Sequence, residues 1–184
     1  VVKIMARRSR AEKSAALAEL AREVFGDATF EAVQTRIGIV AARWMEERPM
    51  IFKADINQAF GRQATFKPGF GAKIGDAVVA SCSAYPFFNK QTVATSQGDV
   101  ELVDGGYCAN NPTLYAIADA TVSLGIPRER VRVLSIGVGE YPAPEKPLWS
   151  PNRYIHRWWL VKLLQKTFEF NTKSLEQLRA VMFK

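Results

Sequence analysis

One stretch constrains this chain more than any other: Leu102-Val103-Asp104-Gly105-Gly106, followed by Asn110-Asn111-Pro112. A short apolar strand gives way to a tight glycine turn. The chain then enters a helix with Asn111 as its cap and Pro112 at its first position. Strands that alternate with helices in this way predict an α/β domain. In such sheets ligands bind beyond the carboxyl ends of strands. A carboxylate there is pinned by rigid backbone and faces a cleft, where it can serve as a general base. Gly105 and Gly106 let backbone pass close to a substrate, so they are expected to be substrate-binding. Taken alone, an Asp-Gly-Gly triplet more often only makes a turn.

The rest of the chain fits the same class. Ser9 followed by Glu12 matches a capping box, and residues 9–25 read as a helix with Leu17, Leu20, Ala21 and Val24 on one face and Gly26 as its stop. Thr29 caps a short turn through Val33. Residues 36–44 and Met50–Ala54 read as two strands of a hairpin, with residues 56–72 as a loop. Lys73–Cys82 reads as a buried helix. Val100–Val103 is a strand, and the capped helix from Pro112 runs to Gly125. Arg130–Ile136 alternates in the manner of a central strand. A Pro-rich loop leads to a helix from about Arg153 to Phe168, with a further helical stretch behind it.

At 184 residues the chain has the length of one domain, and 1–184 is expected to be a single α/β domain. Residues of about 150–184 form its basic, Trp-containing helical C-terminal segment. No apolar run approaches the ~20 residues of a spanning helix. Cys82 and Cys108 are too few for a disulfide framework and read as buried thiols of a reducing compartment. The formal charge is +7, concentrated at the two ends. Arg7, Arg8, Arg10 and Lys13 crowd the start, and seven Lys or Arg follow Ser150 against Glu169 and Glu176. Such a surface favours an anionic partner: phospholipid, nucleic acid or an acidic protein.

Three blocks in order sharpen the reading: Ala80-Ser81-Cys82-Ser83-Ala84-Tyr85-Pro86-Phe87-Phe88, then Val103-Asp104-Gly105-Gly106 with Asn110-Asn111-Pro112, then Val133-Leu134-Ser135-Ile136-Gly137-Val138-Gly139. This set resembles the C-terminal half of patatin-like phospholipases, lipid acyl hydrolases with a Ser-Asp dyad. Cys82, Tyr85 and Val138 depart mildly from the family's pattern. The resemblance implies a three-layer α/β/α patatin-like domain, incomplete at its N-terminus, with Asp104 as the catalytic base. The family's Gly-x-Ser-x-Gly elbow is missing, since no Gly here is followed two residues later by Ser. The nucleophile is therefore expected on a segment before Val1, which leaves this chain alone inactive. The family needs no metal or organic cofactor, so none is expected.

The resemblance further implies a phospholipid substrate, a cytoplasmic location and peripheral contact with an anionic inner membrane. Ala80–Phe88 is similar to bacterial members that act as antiphage effectors switched on by cyclic nucleotides. A cyclic-nucleotide activator is an expectation on that ground, and a homo-oligomer is a further one; a nucleic acid polymer is not expected as a partner and stands as a distant third reading, since no motif for one is recognised. The competing reading is a non-catalytic binding or regulatory fragment that docks to an acidic partner or an anionic membrane.

Other candidates read as structure. His156 is the one histidine, in a basic Trp-rich segment, and reads as exposed or interfacial. Ser81 and Ser83 are expected to satisfy backbone groups at a helix end. Gly137 and Gly139 lack the Lys-Ser/Thr of a phosphate loop. Trp149, Tyr154, Trp158 and Trp159, interleaved with Arg153, Arg157 and Lys162, suit a membrane interface. More simply, a C-terminal helix packs Trp159, Leu160, Leu163 and Leu164 on the core.

Overall fold

The computed structural model describes residues 9–55, 58, 71–137 and 152–182. Side chains of the last helix are described from Trp159 onward. The expected loop 56–72, apart from Gln58, Gly71 and Ala72, lies outside the described residues. So do Arg7, Arg8, Val138, Gly139, Trp149 and the Pro-rich loop, and nothing is described of the side chains of Arg153, Tyr154, His156, Arg157 and Trp158.

Helix α1 (Arg10–Phe25) opens on the expected capping box, with Ser9 Oγ accepting from the Glu12 N–H and the Glu12 carboxylate accepting from the Ser9 N–H. Gly26, at φ 54°, ends it in a conformation that suits glycine. Its buried face differs from the expected one. Lys13, Ser14 and Ala21 are buried, whereas Leu20 and Val24 are exposed. The reason is close helix packing: a Cβ on Gly75 of the neighbouring helix would come within 3.6 Å of the Ala21 carbonyl oxygen. Small residues bring the two backbones together there, and the bulkier Leu20 and Val24 are turned away.

A hairpin comes next, β1 (Gly38–Arg43) and β2 (Arg48–Lys53), as the sequence predicts. β2 includes Pro49, which is tolerated because β2 is an edge strand. Helix α2 (Ile74–Ser81) succeeds it. A second hairpin joins β3 (Gln91–Thr95) to β4 (Gly98–Asp104), turning through Gly98 at φ 104°. β3 is a strand that the sequence pattern does not announce. The four strands form one antiparallel sheet in the order β2-β1-β4-β3.

Helices cover both faces of that sheet. On one, α2 buries Ala77 and Ala80 against Ala41, Phe52, Val93 and Leu102. On the other lie α3 (Gly106–Ala109) and α5 (Asn152–Met182), where Ala109 and Leu175 meet Val40 and Ile51. Between them in sequence comes α4 (Thr113–Ala118), which runs into a π-helical turn at Asp119–Ser123. The layering is α/β/α among the described residues, as expected.

Two further expectations fail in the C-terminal part. Arg130–Ile136 is not a central strand. Residues 131–137 pair with no strand among those described, and Val133, Leu134 and Ile136 are exposed. Alternation states only that a segment can pair; here no described strand lies beside it. The C-terminal helix also does not bury Trp159, Leu160 and Leu163, which are all exposed, while Leu164 is half-buried. A different side of α5 faces the domain, and Phe168 is its aromatic contact.

Candidate active site

Asp104 is the last residue of β4, level with Ala41 of β1. Its backbone is tied to the end of α2: the Asp104 N–H donates to the Ser83 carbonyl at 3.1 Å, and the Gly105 N–H donates to the Ser81 carbonyl at 3.2 Å. Ser83 is fully buried, and its hydroxyl donates to the Val79 carbonyl at 2.6 Å. Ser83 is not a nucleophile candidate in this arrangement. The Ser83 hydroxyl finishes the helix, as expected, and the Ser81 and Ser83 carbonyls fix the height of Asp104 on the sheet.

The side chain is held as firmly. Asp104 Oδ1 accepts from the Gly106 N–H at 2.7 Å. For Oδ2, no hydrogen-bond partner lies among the described residues, and no cation pairs with Asp104 there. The residue is half-buried, and burial pushes its carboxyl up to about 6, with the Gly106 hydrogen bond pulling the other way. A carboxyl in that range is ionised at neutral pH yet basic enough to take a proton.

The two glycines are there because of packing. A Cβ on Gly105 would collide with the Val40 carbonyl oxygen. A Cβ on Gly106 would sit 3.0 Å from Asp104 Oδ1 and 3.1 Å from the Phe168 ring. Both are buried. Beyond them α3 brings Tyr107 beside the carboxylate, and burial, then the charge of Asp104, pushes its hydroxyl up. That hydroxyl donates to the Tyr85 carbonyl.

The expected cap is shifted by one residue: Pro112, not Asn111, is the N-cap of α4 and α4 begins at Thr113, while Asn111 Oδ1 accepts from the Thr113 N–H at 3.1 Å in the turn just before the helix. Helix α5 then clamps the turn from outside. Phe168 meets Tyr107 edge to face at 5.2 Å, Asn171 Nδ2 donates to the Cys108 carbonyl at 2.9 Å, and Asn171 Oδ1 accepts from the Asn110 N–H at 3.1 Å. Sequence reasoning missed Tyr107, Phe168 and Asn171. Their positions depend on where α5 docks, which no local pattern records. Cys82 and Cys108 are both free thiols; Cys108 is half-buried, but Cys82 is exposed, contrary to expectation. The described residues hold no group of three or more His, Cys, Asp or Glu that could bind a metal.

A rigid strand-end carboxylate of raised basicity, with one oxygen tethered and the other without a hydrogen-bond partner among the described residues, is able to deprotonate an alcohol. The family model described as patatin-like phospholipase matches residues 3–117, a span that includes this turn. The chain belongs to the patatin-like phospholipase family. Over its whole length it is 57% identical to an Escherichia coli protein named cUMP-AMP-activated phospholipase. It is also 30% identical, over 71% of its length, to patatin-like protein 3 of Arabidopsis thaliana. The chain spans 57% of the first relative's length and 32% of the second's.

Proposed function

We propose that this chain supplies the base of a serine–aspartate dyad in a lipid acyl hydrolase. Asp104 Oδ2 takes the proton of a serine hydroxyl as the serine oxygen attacks an acyl ester of a phospholipid. The proton passes to the leaving alcohol. A water deprotonated by the same carboxylate then attacks the acyl-serine, the serine oxygen leaves and takes that proton from Asp104, and the fatty acid is released. The serine itself belongs to polypeptide outside these 184 residues, which contain no Gly-x-Ser elbow. Gly105 and Gly106 are assigned to substrate binding through their backbone at this turn. No metal or organic cofactor takes part.

The observation that carries this reading is the half-buried Asp104 carboxylate, raised in pKa by burial, fixed by Gly106 through Oδ1, and without a hydrogen-bond partner on Oδ2 among the described residues. The test is Asp104→Asn in the longer protein, assayed on a fluorogenic phospholipid. Removing a general base is worth about 10²–10⁴-fold in rate. A loss of that order with the fold intact supports the dyad, and unchanged hydrolysis ends it. Because the base must be ionised, wild-type activity rises with pH through about 6. If the longer protein too lacks hydrolysis, the missing elbow favours the second reading, a regulatory fragment that docks to an acidic partner or anionic membrane.

The name of the Escherichia coli relative describes activation by cUMP-AMP. We extend this to the present chain as a cytoplasmic antiviral phospholipase, peripheral at the inner membrane and switched on by a cyclic dinucleotide, with self-association as part of the switch. Hydrolysis that is unchanged by cUMP-AMP would remove that extension.

A further inference from the structure

Helix α5 turns one side to the domain and leaves another bare. Val161, Leu164, Phe168, Asn171, Thr172 and Leu175 are half-buried and recur at helical spacing. Nearly opposite, Trp159, Leu163, Phe170 and Val181 fall within about 40° of one another on a helix of 3.6 residues per turn. They are 63, 48, 68 and 69% exposed, respectively. Lys162, Lys166 and Lys173, all exposed, occupy the adjoining strip, within about a further 60°. Lys166 Nζ lies 6.0 Å over the Phe170 ring, and Lys173 pairs with Glu169 at 2.7 Å. Glu169 and Glu176 stand beyond the lysines, away from the apolar strip.

A Trp-Leu-Phe-Val strip edged by lysines on one side matches an anionic bilayer in two respects. Aromatic rings settle at headgroup level, and lysine stems lie along the apolar surface while their ammonium groups reach lipid phosphates. No described helix is long and apolar enough to cross a membrane, so α5 would lie in the interface plane. We propose that α5 is a membrane-docking helix: its outer strip enters the headgroup region of an anionic bilayer while its inner side grips the Asp104 turn through Phe168 and Asn171. The purpose of docking rests on the phospholipase reading, because it would bring the turn to its substrate; the surface itself does not.

The experiment is sedimentation of the protein with phosphatidylcholine vesicles, with and without phosphatidylglycerol. The protein is expected to pellet with the phosphatidylglycerol vesicles and to be released by salt. Leu163→Gln with Phe170→Gln is expected to weaken binding at least about tenfold, since two apolar side chains leave the interface. Lys166→Gln with Lys173→Gln is expected to weaken it by about tenfold and to flatten its salt dependence. As a second measurement, brominated lipid quenches tryptophan emission, and Trp159→Phe removes the quenched component. Asp104→Asn is expected to bind vesicles as the wild type does, so loss of hydrolysis and loss of docking are read separately. The proposal is overturned if the glutamine variants bind like the wild type, if charge makes no difference, or if the strip proves to be a contact between two copies, seen as a dimer that Leu163→Gln with Phe170→Gln converts to monomer.

Discussion

The two faces of the sheet are built on different principles. The face under α2 is dry. Nine buried apolar residues form its cluster, with Phe30 stacked on Phe52 at 6.3 Å between centroids. The face under α3 and α5 has three buried apolar residues in its cluster and leans on polar anchors. Fully buried Lys53 donates to Asp119 at 2.5 Å and to the Gln58 carbonyl at 2.6 Å, and Asn171 bridges to α3. Asp104 stands where the two meet, because β4 ends there and the chain crosses from one layer to the other. Hydrophobic burial fixes the position of β4, while hydrogen bonds fix the turn and the short helix beyond it. Such a division places a reactive group on a firm base beside parts that are held less tightly.

If this contrast is real, truncation should separate the faces widely. Phe52→Ala, fully buried beneath α2, should cost about 3–5 kcal/mol in urea unfolding. Leu175→Ala, half-buried on the other side, should cost about 1–2 kcal/mol, because water reaches the site it leaves. Equal losses would break the comparison.

The dry face is also the legible one. The β1–β2 hairpin, α2 and β4 follow from runs of Val, Ile and Ala at the right spacing, and the Ser9–Glu12 capping box is purely local. The elements that local patterns hide depend on distant partners. β3 buries only Val93, so its pattern is weak, and it becomes a strand by pairing with β4. Arg130–Ile136 shows the reverse, a strong alternating pattern with no described partner. α5 is legible as a helix but not in its orientation, since Trp159 and Leu163 outweigh Phe168 and Asn171 in any count of hydrophobic residues. Asp104 is legible because its chemistry is written in a contiguous motif. Tyr107, Phe168 and Asn171 are not, because the docking of two helices brings them to it.

Gly105 tests the seam itself. Gly105→Ala drives a methyl group into the Val40 carbonyl, which is backbone and has little room to retreat. The expected loss is about 3 kcal/mol, the upper end of ordinary overpacking. Gly106→Ala meets the Phe168 ring and one carboxylate oxygen instead, and should cost less. The reverse order, measured by the same unfolding titration, would place the tight contact on the α5 side.

Asp104→Asn is expected to stabilise. The folded protein raises this carboxyl from 3.8 to about 6, so folding favours the protonated form. Between those values the unfolded chain loses its proton more readily, and wild-type stability falls as pH rises; above about 6 the deficit stays constant. Asparagine escapes this, and its side-chain oxygen can still accept from Gly106. At pH about 8 the variant should be more stable by about 1–3 kcal/mol, with allowance for partial exposure, and the gap should vanish below pH about 4. A gap that is the same at both pH values would mean that the carboxylate is not strained by burial.

The smallest effect probes how firmly α5 is attached. Asn171 makes two hydrogen bonds to α3, one to the Cys108 carbonyl and one from the Asn110 N–H. The Cys108 carbonyl stands at the C-terminal end of a four-residue helix, where carbonyls have no intrahelical partner. Asn110 is exposed and Cys108 half-buried, so water can replace much of what is lost. Asn171→Ala should therefore cost only about 1 kcal/mol, near the net worth of ordinary hydrogen bonds. Its signature is local rather than global. Cys108 is half-buried and its carbonyl is held by Asn171, so alkylation of its thiol by iodoacetamide should quicken in Asn171→Ala while that of exposed Cys82 stays constant. Equal quickening at both thiols would mean that the whole domain opens, and the polar face would then be no looser than the dry one.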